Sequence, residues 1–196
     1  MRNLAQNITI IDLISYPRPE EAIKAIKEMS DKSDILFLEE YLAEDYKGIR
    51  KYETLLAIKE DHSIVGFLTG KIKNECFSVK RLIVHENFRS SENNISREKI
   101  GTRLMLNAFE KTKILGKKML TLKYDPGNIY FSPTHKANCI RNVAFYDHFK
   151  KFNLSSSYID EPIGGIEGAH TQIIRKLCYY LTGFHYARAL NILGFP

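Results

Sequence analysis

The sequence predicts a mixed α/β domain, a largely antiparallel sheet flanked by helices with one central parallel strand pair. Three observations carry this. Short β-branched and apolar runs alternate with stretches of helical periodicity. Three such runs, 54–58, 64–73 and 77–84, follow one another through connections that suit only antiparallel pairing. A helical stretch then separates Val84 from Lys118, a crossover that sets the strands on either side of it parallel.

The elements follow in order. Residues 8–16, Ile-Thr-Ile-Ile-Asp-Leu-Ile-Ser-Tyr, read as a strand that Pro17 and Pro19 end. Ala22, Ile23, Ala25 and Ile26 make a helical stripe within 20–29, and a second helix is expected over about 35–46. Asp61-His62-Ser63 turns the hairpin between 54–58 and 64–73. After the strand 77–84 comes a polar loop, 90–96. The strongest helix follows at 100–115, with Ile100, Leu104, Ala108, Phe109 and Thr112 on one face and Gly116 as its C′ residue. Lys118 to Tyr124 is a strand, 125–137 a loop and 138–149 a helix. Strands are expected at 156–163 and 170–177, and a C-terminal helical extension over 179–196. Its stripe of Tyr180, Phe184, Ala187, Leu190 and Leu193 suits domain packing or a homodimer contact better than a membrane surface.

The chain has 196 residues, which suits one domain spanning 1–196. It carries 29 Lys and Arg against 23 Asp and Glu, a formal charge of +6 that favours anionic ligands. The basic residues are scattered rather than gathered in one arm, which speaks against nucleic acid as the partner but leaves it open. Cys76, Cys139 and Cys178 lie far apart without a Cys-x-x-Cys pair, so neither a disulfide framework nor a zinc site is expected and no metal is implied. No apolar run is long enough to span a bilayer, and the N-terminal residues lack a signal-peptide core. A cytoplasmic protein is the expectation, though a chain exported without a signal would read the same.

The segment most informative about chemistry is strand, loop and helix: Val84-His-Glu-Asn-Phe-Arg89, a polar stretch, then Ser96-Arg-Glu-Lys-Ile-Gly101-Thr102. A helix N-terminus beside a strand end is an anion site, because its first amides lack internal partners and the helix dipole is positive there. Gly101 permits close backbone approach, Thr102 adds a hydroxyl, and Arg97, Lys99 and Arg103 add charge. A pyrophosphate suits such an end. Downstream, Asn138, Asn142 and Tyr146 recur at i, i+4 and i+8 and share a helix face, within Asn138-Cys-Ile-Arg-Asn142-Val-Ala-Phe145-Tyr146.

These residues resemble the GNAT acetyltransferases over roughly 50–177. In that family, a strand ending Val-x-Pro-x-x-Arg leads into Arg/Gln-x-x-Gly-x-Gly/Ala and a helix. An Asn-x-x-Ala-x-x-Phe-Tyr helix comes later. The chain departs from the pattern where Ser96 replaces Arg or Gln, where Lys99 replaces the first glycine, and where about seven extra residues precede Arg97. Asn138 also lies one residue further from the tyrosine than usual, and Asn142 takes the alanine position.

The resemblance implies an N-acetyltransferase with acetyl-CoA as acyl donor and an amine as acceptor. Leu82, Ile83 or Val84 would supply a backbone N–H to the thioester oxyanion. Arg97, Lys99, Ile100, Gly101 and Thr102 would hold the pyrophosphate, and Asn138 and Asn142 the pantetheine arm. Tyr146 would protonate the departing thiolate. The strand glutamate of many relatives is Ser78 here. His85 is the candidate base, with Glu75, Glu86, Asp125 and water as alternatives. The segment 126–136, with Tyr130, Phe131, His135 and Lys136, either borders the acceptor or is an ordered surface insertion. The rival reading is a GNAT-like binding protein that has lost catalysis; among enzymes, it is an acyltransferase acting on a longer acyl chain, a protein or an RNA.

Overall fold

A computed structural model describes residues 8–30, 38, 39, 42, 51–88, 99–127, 132–152, 154–163 and 172–193. The strands are β1 (Thr9–Asp12), β2 (Tyr52–Ile58), β3 (Ile64–Ile72), β4 (Cys76–Val84), β5 (Met119–Tyr124), β6 (Ser155–Ile163) and β7 (Gln172–Tyr180). Four helices are complete among the described residues: α1 (Pro19–Met29), α2 (Ile100–Ile114), α3 (Pro133–Asp147) and α4 (Tyr186–Leu193). The strands form one sheet in the order β1-β2-β3-β4-β5-β7-β6. Every neighbouring pair is antiparallel except β4 and β5. This is the expected architecture.

Two apolar clusters cover the two faces. On one, α2 lays Ile100, Leu104, Ala108 and Phe109 against Leu55, Leu68, Leu120 and Tyr179. Phe109 sits edge-on to Phe149 and Tyr179 at 5.6 and 5.2 Å between ring centroids. On the other face, Ala22 and Ile26 of α1 join Leu38, Leu42, Leu56 and Phe67. The Leu, Ile and Phe side chains of both clusters would each gain about 1.5–3 kcal/mol on leaving water. Lys111 on α2 ties the sheet edge to this packing through ion pairs at 3.0 Å with Asp12 of β1 and Glu53 of β2.

Several boundaries differ from the sequence expectation. The first strand stops at Asp12, and Leu13–Ser15 is a 3-10 turn that buries Leu13 completely. Pro19 opens α1 at its first turn, where a missing N–H costs nothing, rather than merely ending the strand. The helix expected at 138–149 begins at Pro133 and passes at Asp147 into a 3-10 turn, His148–Phe152. The cause is Ser132, whose side chain accepts from the His135 N–H at 3.0 Å and caps the first turn.

The last strand runs on to Tyr180, because Tyr179 and Tyr180 pair with Leu120 and Met119 of β5. The terminal helix is therefore shorter than expected. It turns Ala189 and Leu193 inward beside Phe184, while Ala187 faces solvent. Of the helix expected at 35–46, only residues 38, 39 and 42 are described; all are helical. Residues 164–171, between the two strands expected there, lie outside the described residues.

Candidate active site

The parallel ladder between β4 and β5 is short. It joins Cys76 to Met119, Phe77 to Leu120 and Ser78 to Thr121, and then the strands part. A bulge in β4 accompanies the split: Thr69 of β3 faces Arg81 and Gly70 faces Val79, so Lys80 is an extra residue. Bulges bend a strand and add twist. Gly70 is required there, since a Cβ on it would stand 2.5 Å from Cζ of the buried Phe77 ring.

The split opens a cleft of about 740 Å³. Leu82, Ile83 and Val84 form one wall, and the start of α2 forms its end with Lys99, Ile100, Gly101 and Thr102. Asn138, Asn142 and Tyr146 on α3 form the opposite wall. Nearly all the predicted ligand-binding residues thus line one cavity. Arg97 lies outside the described residues, as do Arg89 and Ser96. Phe88, Arg141 and Phe145 also line the cleft and were missed. The last two follow from helical spacing, three residues beyond Asn138 and Asn142.

Backbone direction distinguishes the three strand residues. The His85 N–H donates to Val65 O of β3 at 2.8 Å. Alternation along an antiparallel strand turns the Ile83 N–H the same way and aims those of Leu82 and Val84 toward the cleft. At the helix end, Lys99 takes a left-handed conformation (φ 42°, ψ 44°), and its side chain makes no cap bond to α2. The Arg103 N–H is the first to find a carbonyl within this end, that of Lys99, so the amides of Ile100, Gly101 and Thr102 have no partner inside α2. Lys99 replaces a family glycine at a position whose backbone favours glycine. Positive charge gathers nearby: burial and then the charge of Lys99 lower the pKa of Lys151, and burial, Lys151 and Lys99 lower that of His148.

Arg103 turns away from this end and donates to the carbonyl of Ile8. The Asn138 carboxamide oxygen accepts from Arg141 at 2.7 Å, a pair that lies on the cleft wall. Tyr146 is half-buried, with its ring 4.9 Å from that of Tyr124 and 5.1 Å from that of Phe145. Burial, with Tyr124 beside it, pushes its hydroxyl pKa up to about 12. At neutral pH this phenol keeps its proton.

The structure does not bring His85 to Tyr146. His85 lines a second cavity of about 550 Å³ with Tyr16, Glu21, Glu28, His62 and Glu86, and its Nδ1 accepts from the Asn87 N–H at 3.3 Å. Glu75 lies at the opposite end of β4 from the cleft, 3.9 Å from Lys118. Ser78 is buried within the β4–β5 ladder. Asp125, at the end of β5, meets residues of α3: its Oδ2 lies 3.3 Å from His135 Nε2, which lies 3.4 Å from Cys139 Sγ. Tyr130 and Phe131 are outside the described residues. Those described contain no helix long and apolar enough to cross a membrane.

No family model matches the sequence, and no curated protein matches it. Solved structures do match. A GNAT family acetyltransferase from Elizabethkingia anophelis, solved with acetyl-CoA bound, is 19% identical with a TM-score of 0.54, covering 89% of this chain and 99% of that one. The spermidine/spermine N-acetyltransferase of Vibrio cholerae, solved with manganese ions, is 12% identical at a TM-score of 0.57, covering 95% and 96%. A putative acetyltransferase from Salmonella typhimurium with acetyl-CoA is 13% identical at a TM-score of 0.57, covering 91% and 96%. What these likenesses establish is the fold.

Proposed function

We propose, from the GNAT acetyltransferase fold of this chain, that it transfers an acyl group from acyl-CoA, acetyl-CoA in the first instance, to an amine. The observation that carries the reading is the cleft between the parted β4 and β5, which gathers a helix N-terminus, strand amides turned toward the cleft and a protonated tyrosine. The amides of Ile100, Gly101 and Thr102 take the pyrophosphate, with Lys99 beside them. The pantetheine arm runs between β4 and the Asn138 and Asn142 face of α3.

At the thioester, the N–H of Leu82 or Val84 donates to the carbonyl oxygen and stabilises the oxyanion that forms when a neutral amine attacks. Collapse of the tetrahedral adduct forms the amide and breaks the C–S bond, and the electron pair leaves on sulfur. A phenol at about 12 is a weaker acid than a thiol at about 8.5. Tyr146 therefore gives up its proton to sulfur only as it gains one from the attacking nitrogen. The hydroxyl relays a proton and ends as it began. His85 has no part in this cleft on our reading, and the amine loses its first proton to water before binding.

Calorimetric titration with acetyl-CoA tests the reading. Wild type and Gly101→Ala bind alike, because a Cβ at Gly101 meets Phe145 Cζ at 3.4 Å and Val84 Cγ2 at 3.8 Å, both ordinary contacts. Gly101→Glu places a carboxylate among the phosphates and weakens binding at least about tenfold. No binding by wild type, or equal binding by Gly101→Glu, removes acyl-CoA from this cleft.

A further inference from the structure

We propose that Asp125, His135 and Cys139 form a zinc site that clamps the first turns of α3 to the end of β5. One ligand atom from each residue lies within 4.8 Å of the other two. These are three of the donor types that zinc takes, and its catalytic sites use three protein ligands with one position left for water. Distances sharpen the fit. With zinc about 2.0–2.1 Å from N and O and about 2.3 Å from S, the edges of a tetrahedron are about 3.3 Å for N to O and about 3.5 Å for N to S. The observed edges are 3.3 Å from His135 Nε2 to Asp125 Oδ2 and 3.4 Å from His135 Nε2 to Cys139 Sγ.

The local backbone presents these atoms. His135 and Cys139 are four residues apart on α3 and share one of its faces. The His135 backbone is held by Ser132 at the helix cap. Asp125 uses Oδ1 to accept from the Gly127 N–H at 2.6 Å, which leaves Oδ2 as the ligand oxygen. Such outer hydrogen bonds orient ligands in metal sites. Cys139 is 2% exposed, whereas Asp125 and His135 are only part-buried, so an ion can enter past the imidazole and the carboxylate. Binding replaces the thiol proton with the metal, and the proton leaves to solvent. Cysteine spacing carries no sign of the site, because Cys76, Cys139 and Cys178 lack the paired spacing of structural zinc sites.

Without a metal, the same residues form only a hydrogen-bonded triad, in which His135 Nε2 lies between Asp125 Oδ2 and Cys139 Sγ. Cobalt(II) added to the metal-free full chain separates the two. A zinc site gives one equivalent bound per chain, visible d–d bands of a tetrahedral ion and a near-ultraviolet thiolate charge-transfer band. Zinc displaces the cobalt and raises Tm by several degrees. Cys139→Ser, a small change for a buried thiol, abolishes the charge-transfer band and weakens zinc at least about 10–100-fold, the loss that outer-shell changes already cause. His135→Gln, with its part-exposed side chain, does the same where the serine variant fails to fold. A Cys76→Ser, Cys178→Ser double variant keeps the band. The proposal is overturned if wild type gives no band and no Tm shift, or if the band survives Cys139→Ser or vanishes in the double variant.

Discussion

The Tyr179 hydroxyl on β7 donates a 2.6 Å hydrogen bond to the backbone carbonyl of Tyr146, near the end of α3. Helix ends leave carbonyls short of internal partners; this one meets the cap N–H of His148, and a fully buried strand tyrosine adds a second donor. The bond fixes the turn that aims Tyr146 into the cleft. Tyr179→Phe keeps the ring and leaves that carbonyl only the His148 N–H. Urea unfolding should show a loss of about 0.5–1.5 kcal/mol, with a smaller fall in kcat than any change at Tyr146 itself.

Tyr146→Phe should do the reverse. The ring contacts with Tyr124 and Phe145 survive, so stability and acetyl-CoA affinity hold. Loss of the proton relay should lower kcat by about 10- to 1,000-fold. Steady-state kinetics beside calorimetry reads both. Unchanged kcat would return Tyr146 to a packing role.

Alkaline pH should destabilise the chain through its tyrosines. Burial raises the hydroxyls of Tyr124, Tyr146 and Tyr179, Tyr146 to about 12 from an ordinary 10. Between these values the unfolded chain releases protons that the folded one keeps, so stability is intact below pH 10 and falls as pH rises toward 12. Each such tyrosine contributes a slope of order 1 kcal/mol per pH unit. Urea midpoints at stepped pH measure this, and Tyr146→Phe should flatten the slope.

Gly66 marks the tightest point behind the cleft. A Cβ there would stand 2.9 Å from Ile83 O and 3.3 Å from Ile100 Cγ2. Gly66→Ala must push β4 and the start of α2 away from β3, at about 1–3 kcal/mol. It should weaken acetyl-CoA, whereas Gly101→Ala should not. Equal affinities in the two variants would place the ligand away from this wall.

The left-handed backbone at Lys99 sets its own order of variants. Lys99→Gly removes the strain of about 1–2 kcal/mol that a side chain suffers there. Lys99→Val adds β-branching to it. Chemical denaturation should find the valine variant less stable than the glycine variant by at least about 1 kcal/mol.

What was legible in the sequence follows from which forces act locally. Helix α2 was legible because its stripe is its core contact: Leu104, Ala108, Phe109 and Thr112 are fully buried, and Gly116 ends it at φ +67°. The start of α3 was misplaced because Ser132-Pro133 resembles a turn, although the same pair is a cap followed by a first-turn proline. That error left His135 in a loop and hid its pairing with Cys139. Tyr180 has helical spacing with Phe184, but strand pairing prevails for it as for Tyr179. His85 follows Val84 in sequence yet lines a different cavity, a separation that only the folded sheet reveals.

After Ser78 the inner edges of β4 and β5 face each other with no ladder between them. A strand that leaves its neighbour turns a row of main-chain donors and acceptors into a template on which another extended chain can grow. Whatever fills the gap shields that template as well as taking part in any reaction. Apo protein should therefore self-associate through this interior rim sooner than protein whose cleft is filled, and small extended peptides are natural competitors for the space.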